Sequence, residues 1–251
     1  MVEDLLARYR SSFPDILGWF DEDAMFAWDF LLGSQTRAGV QGDFFEIGVY
    51  KGRSAVLGAL HVRPEDWCVL LDKNPVPEAA AMIESFRPGN NKCICCHSTA
   101  ARGDARVREH FHRCRWVHID GDHKGMSVAN DLELAADLIH ENGIICVDDF
   151  FSFRYPQITA AIYRFLFDHQ KPGFQIFFAG SNQCYICRSS AFRQYDDILR
   201  VDLLATLERS DLKQQVNRTS YASDGGCFTM SWREHERRLV GLDEDPDKIV
   251  F

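Results

Sequence analysis

Residues 43–62 read DFFEIGVYKGRSAVLGALHV, and this stretch decides the fold. Its first seven positions, DFFEIGV, have the apolar, aromatic-rich composition of a strand. A glycine-containing turn follows, and RSAVLGALHV then shows the apolar spacing of a helix. The same unit recurs downstream. DWCVLLD (66–72) is a second strand and PEAAAMIESFR (77–87) a second helix. NKCICCHS (91–98) is a third strand, with DARVREHFHR (104–113) as its helix. RWVHID (115–120) is the fourth strand, SVANDLELAADLIHENG (127–143) a helix ending on Gly143, and GIICVDD (143–149) the fifth strand. Alternation of this kind predicts an α/β fold, a doubly wound and mostly parallel sheet with helices on both faces. QITAAIYRFLFDHQ (157–170) is helical, and FQIFFA and QCYICRS flank a short GSN turn. That pair reads as an antiparallel β-hairpin completing a sheet of seven strands.

Two flanks surround this unit. DLLARYRSSF (4–13) and DEDAMFAWDFLLGSQ (21–35) carry apolar residues at helical spacing, so residues 1–40 form an N-terminal helical extension, expected to act as a lid or an oligomer contact. Residues 41–190 are the sheet domain, and 191–251 a charged, partly helical C-terminal extension.

Composition narrows the function. With 251 residues, 46% hydrophobic and 26% charged, the chain can bury a sizeable core. Its formal charge of −9 argues against a nucleic-acid footprint or an anionic membrane surface as partner. No apolar run approaches the ~20 residues of a membrane span. The opening MVEDLLARYR lacks the cationic-then-apolar layout of a signal peptide, so a cytoplasmic location is expected. Nine cysteines cannot all pair, and most sit in strand-like runs (KCICC, IICVDD, CYIC), where free cysteine serves as a small buried hydrophobe. A zinc site from Cys93, Cys95, Cys96 or Cys114 with His110 or His112 lacks the usual ligand spacing.

In such sheets ligands bind at the carboxyl ends of the strands. Strand one there delivers Glu46, Gly48 and Gly52; strand two Asp72; strand three Ser98; strand four Asp120, Asp122 and His123; strand five Asp148 and Asp149. A dinucleotide loop would place glycine where Glu46 stands. A carboxylate there repels a pyrophosphate and suits a cation such as an ammonium, which disfavours a nicotinamide-dependent reductase. Asp72 is placed to accept hydrogen bonds from ribose hydroxyls.

E-x-G-x-x-x-G after strand one, an acid after strand two and the closing hairpin resemble the Rossmann-like class I S-adenosylmethionine-dependent methyltransferases over roughly residues 40–190. The resemblance implies that Glu46 to Gly52 cradles the aminocarboxypropyl end of the cofactor. It implies also that Ser54 meets its carboxylate at a helix N-terminus, that Asp72 binds the ribose, and that Ser98 lies beside the adenine. IDGDHKG (119–125) followed by VDDF (147–150) is similar to the metal-dependent O-methyltransferase branch acting on sugar hydroxyls of macrolides and related natural products. Catechol-type enzymes are more distant relatives, with lysine at the position held here by His123. That likeness implies Mg²⁺, or another oxygen-preferring divalent cation, on Asp120, Asp148 and Asp149, with Asp120 also counted at the cofactor and His123 as general base. It further implies a hydroxylated small-molecule acceptor and a homo-oligomer.

Elementary chemistry agrees with this reading. Converging carboxylates raise each other's pKa unless a cation neutralises them, and all-oxygen ligation suits Mg²⁺, Mn²⁺ or Ca²⁺ rather than zinc. Such an ion can bind and acidify a hydroxyl, an imidazole can take its proton near neutral pH, and positioning does much of the rest. Taken alone, Asp-Gly-Asp is a common turn and Asp148-Asp149 a helix cap; their joint place on adjacent strand ends favours a metal site. An EF-hand would require a sixth-position glycine and a twelfth-position glutamate, both missing. Asp122 either contacts a ligand or caps the next helix, while His118 and His97 read as structural. Phe150, Phe151, Phe153 and Tyr155 line an acceptor pocket, pack in the core or form a subunit contact. The alternative functions are a metal-independent or N-directed methyltransferase and a non-catalytic cofactor-binding subunit.

Overall fold

Strand β1 (Asp43–Ile47) is buried along its whole length, which explains its aromatic and branched residues. The computed structural model describes residues 4–167, 173–210, 212–219 and 226–232. Ahead of β1 stand α1 (Leu5–Ser12) and α2 (Glu22–Arg37), each started by an aspartate, Asp4 or Asp21, whose side chain accepts from a backbone N–H three residues on. After β1 come α3 (Arg53–Leu60), β2 (Cys68–Asp72), α4 (Pro77–Phe86), β3 (Asn91–Cys95), α5 (Ser98–Ala101) and α6 (Ala105–Arg108). The chain continues through β4 (Cys114–Ile119), α7 (Gly125–Leu138), β5 (Ile139–Val147), α8 (Pro156–Phe167), β6 (Phe174–Gly180) and β7 (Gln183–Arg188). The last described elements are α9 (Phe192–Ile198), a π-helical turn over Leu199–Leu203, α10 (Leu204–Leu207), β8 (Gln214–Thr219) and β9 (Cys227–Trp232).

The sheet runs in the order β3-β2-β1-β4-β5-β7-β6-β9-β8. β3 to β5 are mutually parallel, and β7 lies antiparallel between β5 and β6. Alternate residues of each strand feed two cores. Phe44 and Trp116 face α1 to α4 and α9, with Trp28 of α2 packed edge-on against both; Phe45, Ile47 and Val117 face α5 to α8.

Among the described residues the sheet has nine strands rather than seven. The two extra strands come from the C-terminal extension: β9 pairs parallel to β6 through Phe178↔Phe228 and Gly180↔Met230, and β8 pairs antiparallel to β9. They cover what would otherwise be the open edge of β6. QQVNRT is too polar to signal a strand by itself. Other parts of that extension, 220–225 and 233–251, lie outside the described residues, as does the end of the helix read over 157–170.

Two element readings are also corrected. The fourth helix stops at Leu138, and Gly143 sits inside β5, where an added Cβ would meet the Cys114 carbonyl oxygen at 2.7 Å. Gly143 thus marks a close approach beside the irregular β4–β5 register, not a helix end. The helix read over 104–113 shrinks to α6, because His110 turns inward to pair with buried Asp43. Six of the nine cysteines are buried; Cys93 and Cys95 share the exposed face of edge strand β3, where KCICC reads as more buried than it is.

Candidate active site

The parallel strands open at their carboxyl ends onto a cavity of about 1190 Å³. That exceeds the ~300–1,000 Å³ usual for one small molecule, which leaves room for two. Gly48, Asp72, Ser98, Asp120, His123, Asp148 and Asp149 line it; Glu46, Gly52 and Ser54 do not.

Gly48 shows why these loops need glycine. Its φ is +86°, and a Cβ there would lie 2.0 Å from the Asp120 carbonyl oxygen. The β1 loop therefore passes flush against the β4 loop, fixing where Asp120 starts. Glu46 shares its sheet face with Phe44 and is fully buried. Its Oε1 accepts from Ser54 Oγ (2.5 Å) and lies 2.7 Å from His118 Nδ1. Glu46 Oε2 and His118 Nε2 have no hydrogen-bond partner among the described residues. This group ties β1, β4 and α3 together beneath the cavity. Asp72 accepts backbone N–H bonds from Val49, Tyr50 and Asn74, so it organises the β1 loop and still has acceptor capacity towards the cavity.

The acids crowd the floor. Burial first, then the neighbouring Asp148, Glu46 and Asp149 carboxylates, push Asp120 well above the usual carboxylate range. Asp148 is pushed up to about 6 by burial, with Asp149 adding and His118 opposing. The Gln183 amide beside Asp148 pulls its pKa the other way; the Gln183 Oε1 is taken by Trp28 Nε1 (3.0 Å) and Tyr185 OH (2.8 Å). Asp149 links this floor to its neighbours. Its Oδ2 lies 3.0 Å from His123 Nε2, and its Oδ1 accepts from Asn182 Nδ2 at 2.8 Å. His123 stacks on Tyr155 with ring centroids 4.2 Å apart. No group of three His, Cys, Asp or Glu side chains among the described residues is arranged to hold a metal, which covers both this floor and the cysteine cluster. The donor chemistry of Asp120, Asp148 and Asp149 nonetheless fits an oxygen-preferring divalent cation, because their mutual repulsion is what such an ion relieves.

Asp122 accepts from Ser127 Oγ at 2.9 Å, a bond that holds its carboxyl below the usual range, so it secures the start of α7. His118 is buried, as read, and His97 lies on the cavity wall. Phe150 is core, whereas Phe153 is 98% exposed at the cavity mouth. Opposite the motif residues, Trp19 stacks on Tyr50 at 5.8 Å. The backbone carrying Trp19 is pinned by Arg53, which donates to the carbonyls of Ile16 and Phe20. Trp19, Gln183, Ser181 and Asn182 belong to no motif and were not legible as site residues. Tyr50, Asp149, Ser181 and Asn182 all line the cavity with positive φ, a concentration of backbone strain typical of functional sites.

Behind the β4 loop, Asp131 of α7 is fully buried, and burial pushes its carboxyl up to about 6. The folded state holds this proton more tightly than the unfolded chain, so the contribution is greatest below about pH 4 and is lost as pH rises through 6. Asp131→Asn is expected to flatten that slope and to add about 1–2 kcal/mol at pH 7. Urea denaturation from pH 4 to 7 measures it, and a slope equal to wild type would contradict the assignment.

No curated protein matched the sequence. Residues 45–150 match the family model described as a methyltransferase domain. Among solved structures the fold is similar to the O-methyltransferase NovP, at 14% identity over 66% of this chain and 80% of NovP, with a TM-score of 0.53. An O-methyltransferase from Bacillus cereus in complex with SAH gives 14% identity, 75% and 92% coverage and a TM-score of 0.52. The MycE methyltransferase of the mycinamycin biosynthetic pathway, in complex with Mg and SAH, gives 13% identity, 73% and 54% coverage and 0.54, so this chain spans about half of MycE. No helix among the described residues is long and apolar enough to cross a membrane. The matched segment holds the whole glycine loop and every acid of the cavity floor, so residues 45–150 of this chain are similar to a methyltransferase domain built on this sheet.

Proposed function

We propose that the protein transfers a methyl group from S-adenosylmethionine to a hydroxyl of a small molecule, with Mg²⁺ or a similar cation on Asp120, Asp148 and Asp149. The observation that carries this reading is the meeting of those three acids with His123 on one cavity floor. The cofactor end is formed by Gly48, Asp72 and Ser98, with Glu46, Gly52 and Ser54 supporting the loop from below. When bound, the cation lowers the pKa of an acceptor hydroxyl and orients it. His123 takes the hydroxyl proton on Nδ1, while Asp149 orients the imidazole through Nε2. Trp19, Tyr50 and Phe153 offer ring faces to the acceptor and shield the transfer from water. A sugar hydroxyl of a natural product is the acceptor class we favour, from the IDGDH and VDDF motifs. The helical extension 1–40 contributes the Trp19 wall, which fits a lid, and the assembly is proposed as a cytoplasmic homo-oligomer.

The contact of Asp149 with His123 supports a second reading, in which this pair acts as base without metal. Methyl transfer to a panel of glycosides and phenols, assayed with Mg²⁺ and after chelation, separates the two. Loss of transfer on chelation, restored by Mg²⁺, is the expected result. Full transfer after chelation would select the metal-free reading, and cofactor binding without transfer to any acceptor would point to a non-catalytic subunit.

A further inference from the structure

β7 runs antiparallel to β5, with Val147 opposite Cys184. The turn leading into β7 therefore lies at the same sheet edge as the loop leaving β5. That turn is Ser181–Asn182, with φ of +51° and +61°, a pair of left-handed residues such as a tight hairpin uses. Glycine would satisfy the backbone of this turn as well as asparagine does. Glycine could not supply the bonds the side chain makes. Asn182 Nδ2 donates to Asp149 Oδ1 at 2.8 Å, and Asn182 Oδ1 accepts from the Phe151 N–H at 2.9 Å. The Asn182 carbonyl also accepts from the Phe150 N–H at 2.8 Å. The amide can be oriented only one way, since a carboxylate faces one end and an N–H donor the other. Asp149 is itself left-handed, with φ +59°, so its loop needs such outside support. Its free oxygen then meets His123 Nε2 at 3.0 Å, beneath the Tyr155 ring.

We propose that Asn182 is a positioning residue for methyl transfer. By holding Asp149 in its left-handed conformation with Oδ2 aimed at His123, it fixes the imidazole under Tyr155. It also anchors the first two residues of the segment that carries Phe153. The inference rests on His123 being the base; Asn182 itself touches neither donor nor acceptor in this role.

Asn182→Gly tests it, because glycine keeps the turn and removes only the amide. Asn182→Asp is the companion variant, retaining the acceptor for Phe151 while losing the donor to Asp149. Both are expected to keep the wild-type circular dichroism and an S-adenosylhomocysteine Kd within about two-fold, while kcat falls about 10–100-fold with little change in acceptor KM. In the cofactor-free protein, the His123 Cε1–H resonance, identified by its loss in His123→Ala, is expected upfield from the Tyr155 ring current. It should move towards the free-histidine position in Asn182→Gly. An unmoved resonance with unchanged kcat would overturn the proposal. So would a parallel loss of cofactor affinity and fold, which would make the turn merely structural. If the wild type transferred no methyl group, the functional reading would fail by itself, and the resonance would still decide whether Asn182 places His123.

Discussion

Asp148→Asn should lose methyl transfer by at least about 100-fold and yet melt higher than wild type in cation-free buffer at pH 7. The activity loss follows from removing one charged oxygen ligand from a proposed ion worth several kcal/mol at the transition state, where each 1.4 kcal/mol is about tenfold. The gain in stability follows from the raised pKa. Burial, with Asp149 adding and His118 opposing, holds the Asp148 carboxyl at about 6, above its ordinary value. A proton held more tightly by the folded state gives stability below about pH 4 that is lost as pH rises through 6. At pH 7 a shift of roughly two units corresponds to about 3 kcal/mol against the fold, reduced to about 1–2 kcal/mol by partial solvent access. Asparagine keeps the shape and removes the charge. A rise of about 2–6 °C in Tm is expected, measured by calorimetry with and without Mg²⁺. Added Mg²⁺ should raise the wild-type Tm far more than that of the variant. Retention of more than a tenth of the activity, or a lower Tm without cation, would refute this account.

His123→Ala should lower kcat about 10²–10⁴-fold while leaving the S-adenosylhomocysteine Kd within about two-fold. His123 reaches Asp149 through Nε2 and is steadied by Tyr155, and its carbonyl accepts from Gln157 Nε2 at 2.7 Å. The ring therefore has a fixed place on the cavity floor. Its side chain is 40% exposed, so alanine should cost little stability and the loss of rate can be read directly. Stopped-time transfer assays and calorimetric titration together check this. A fall in cofactor affinity matching the fall in rate would remove His123 from the base role.

The sequence by itself determined the five strand–helix units and the residues at the strand ends, because periodicity and turn residues are local properties. Gly48, Asp72, Ser98, Asp120, His123, Asp148 and Asp149 all reach the cavity from where their strands stop. Tertiary structure decided what side-chain parity and long-range pairing control. Glu46 follows Phe44 at a two-residue step, so it turns under the sheet to His118 and Ser54 instead of into the cavity. QQVNRT became a strand only because β9 paired with β6 and gave it a partner. Asn182 met Asp149, thirty-three positions away, because β7 inserts antiparallel beside β5. No local pattern encodes that contact: hydrogen bonding between distant strands brings the hairpin turn to the acids and sets where they point.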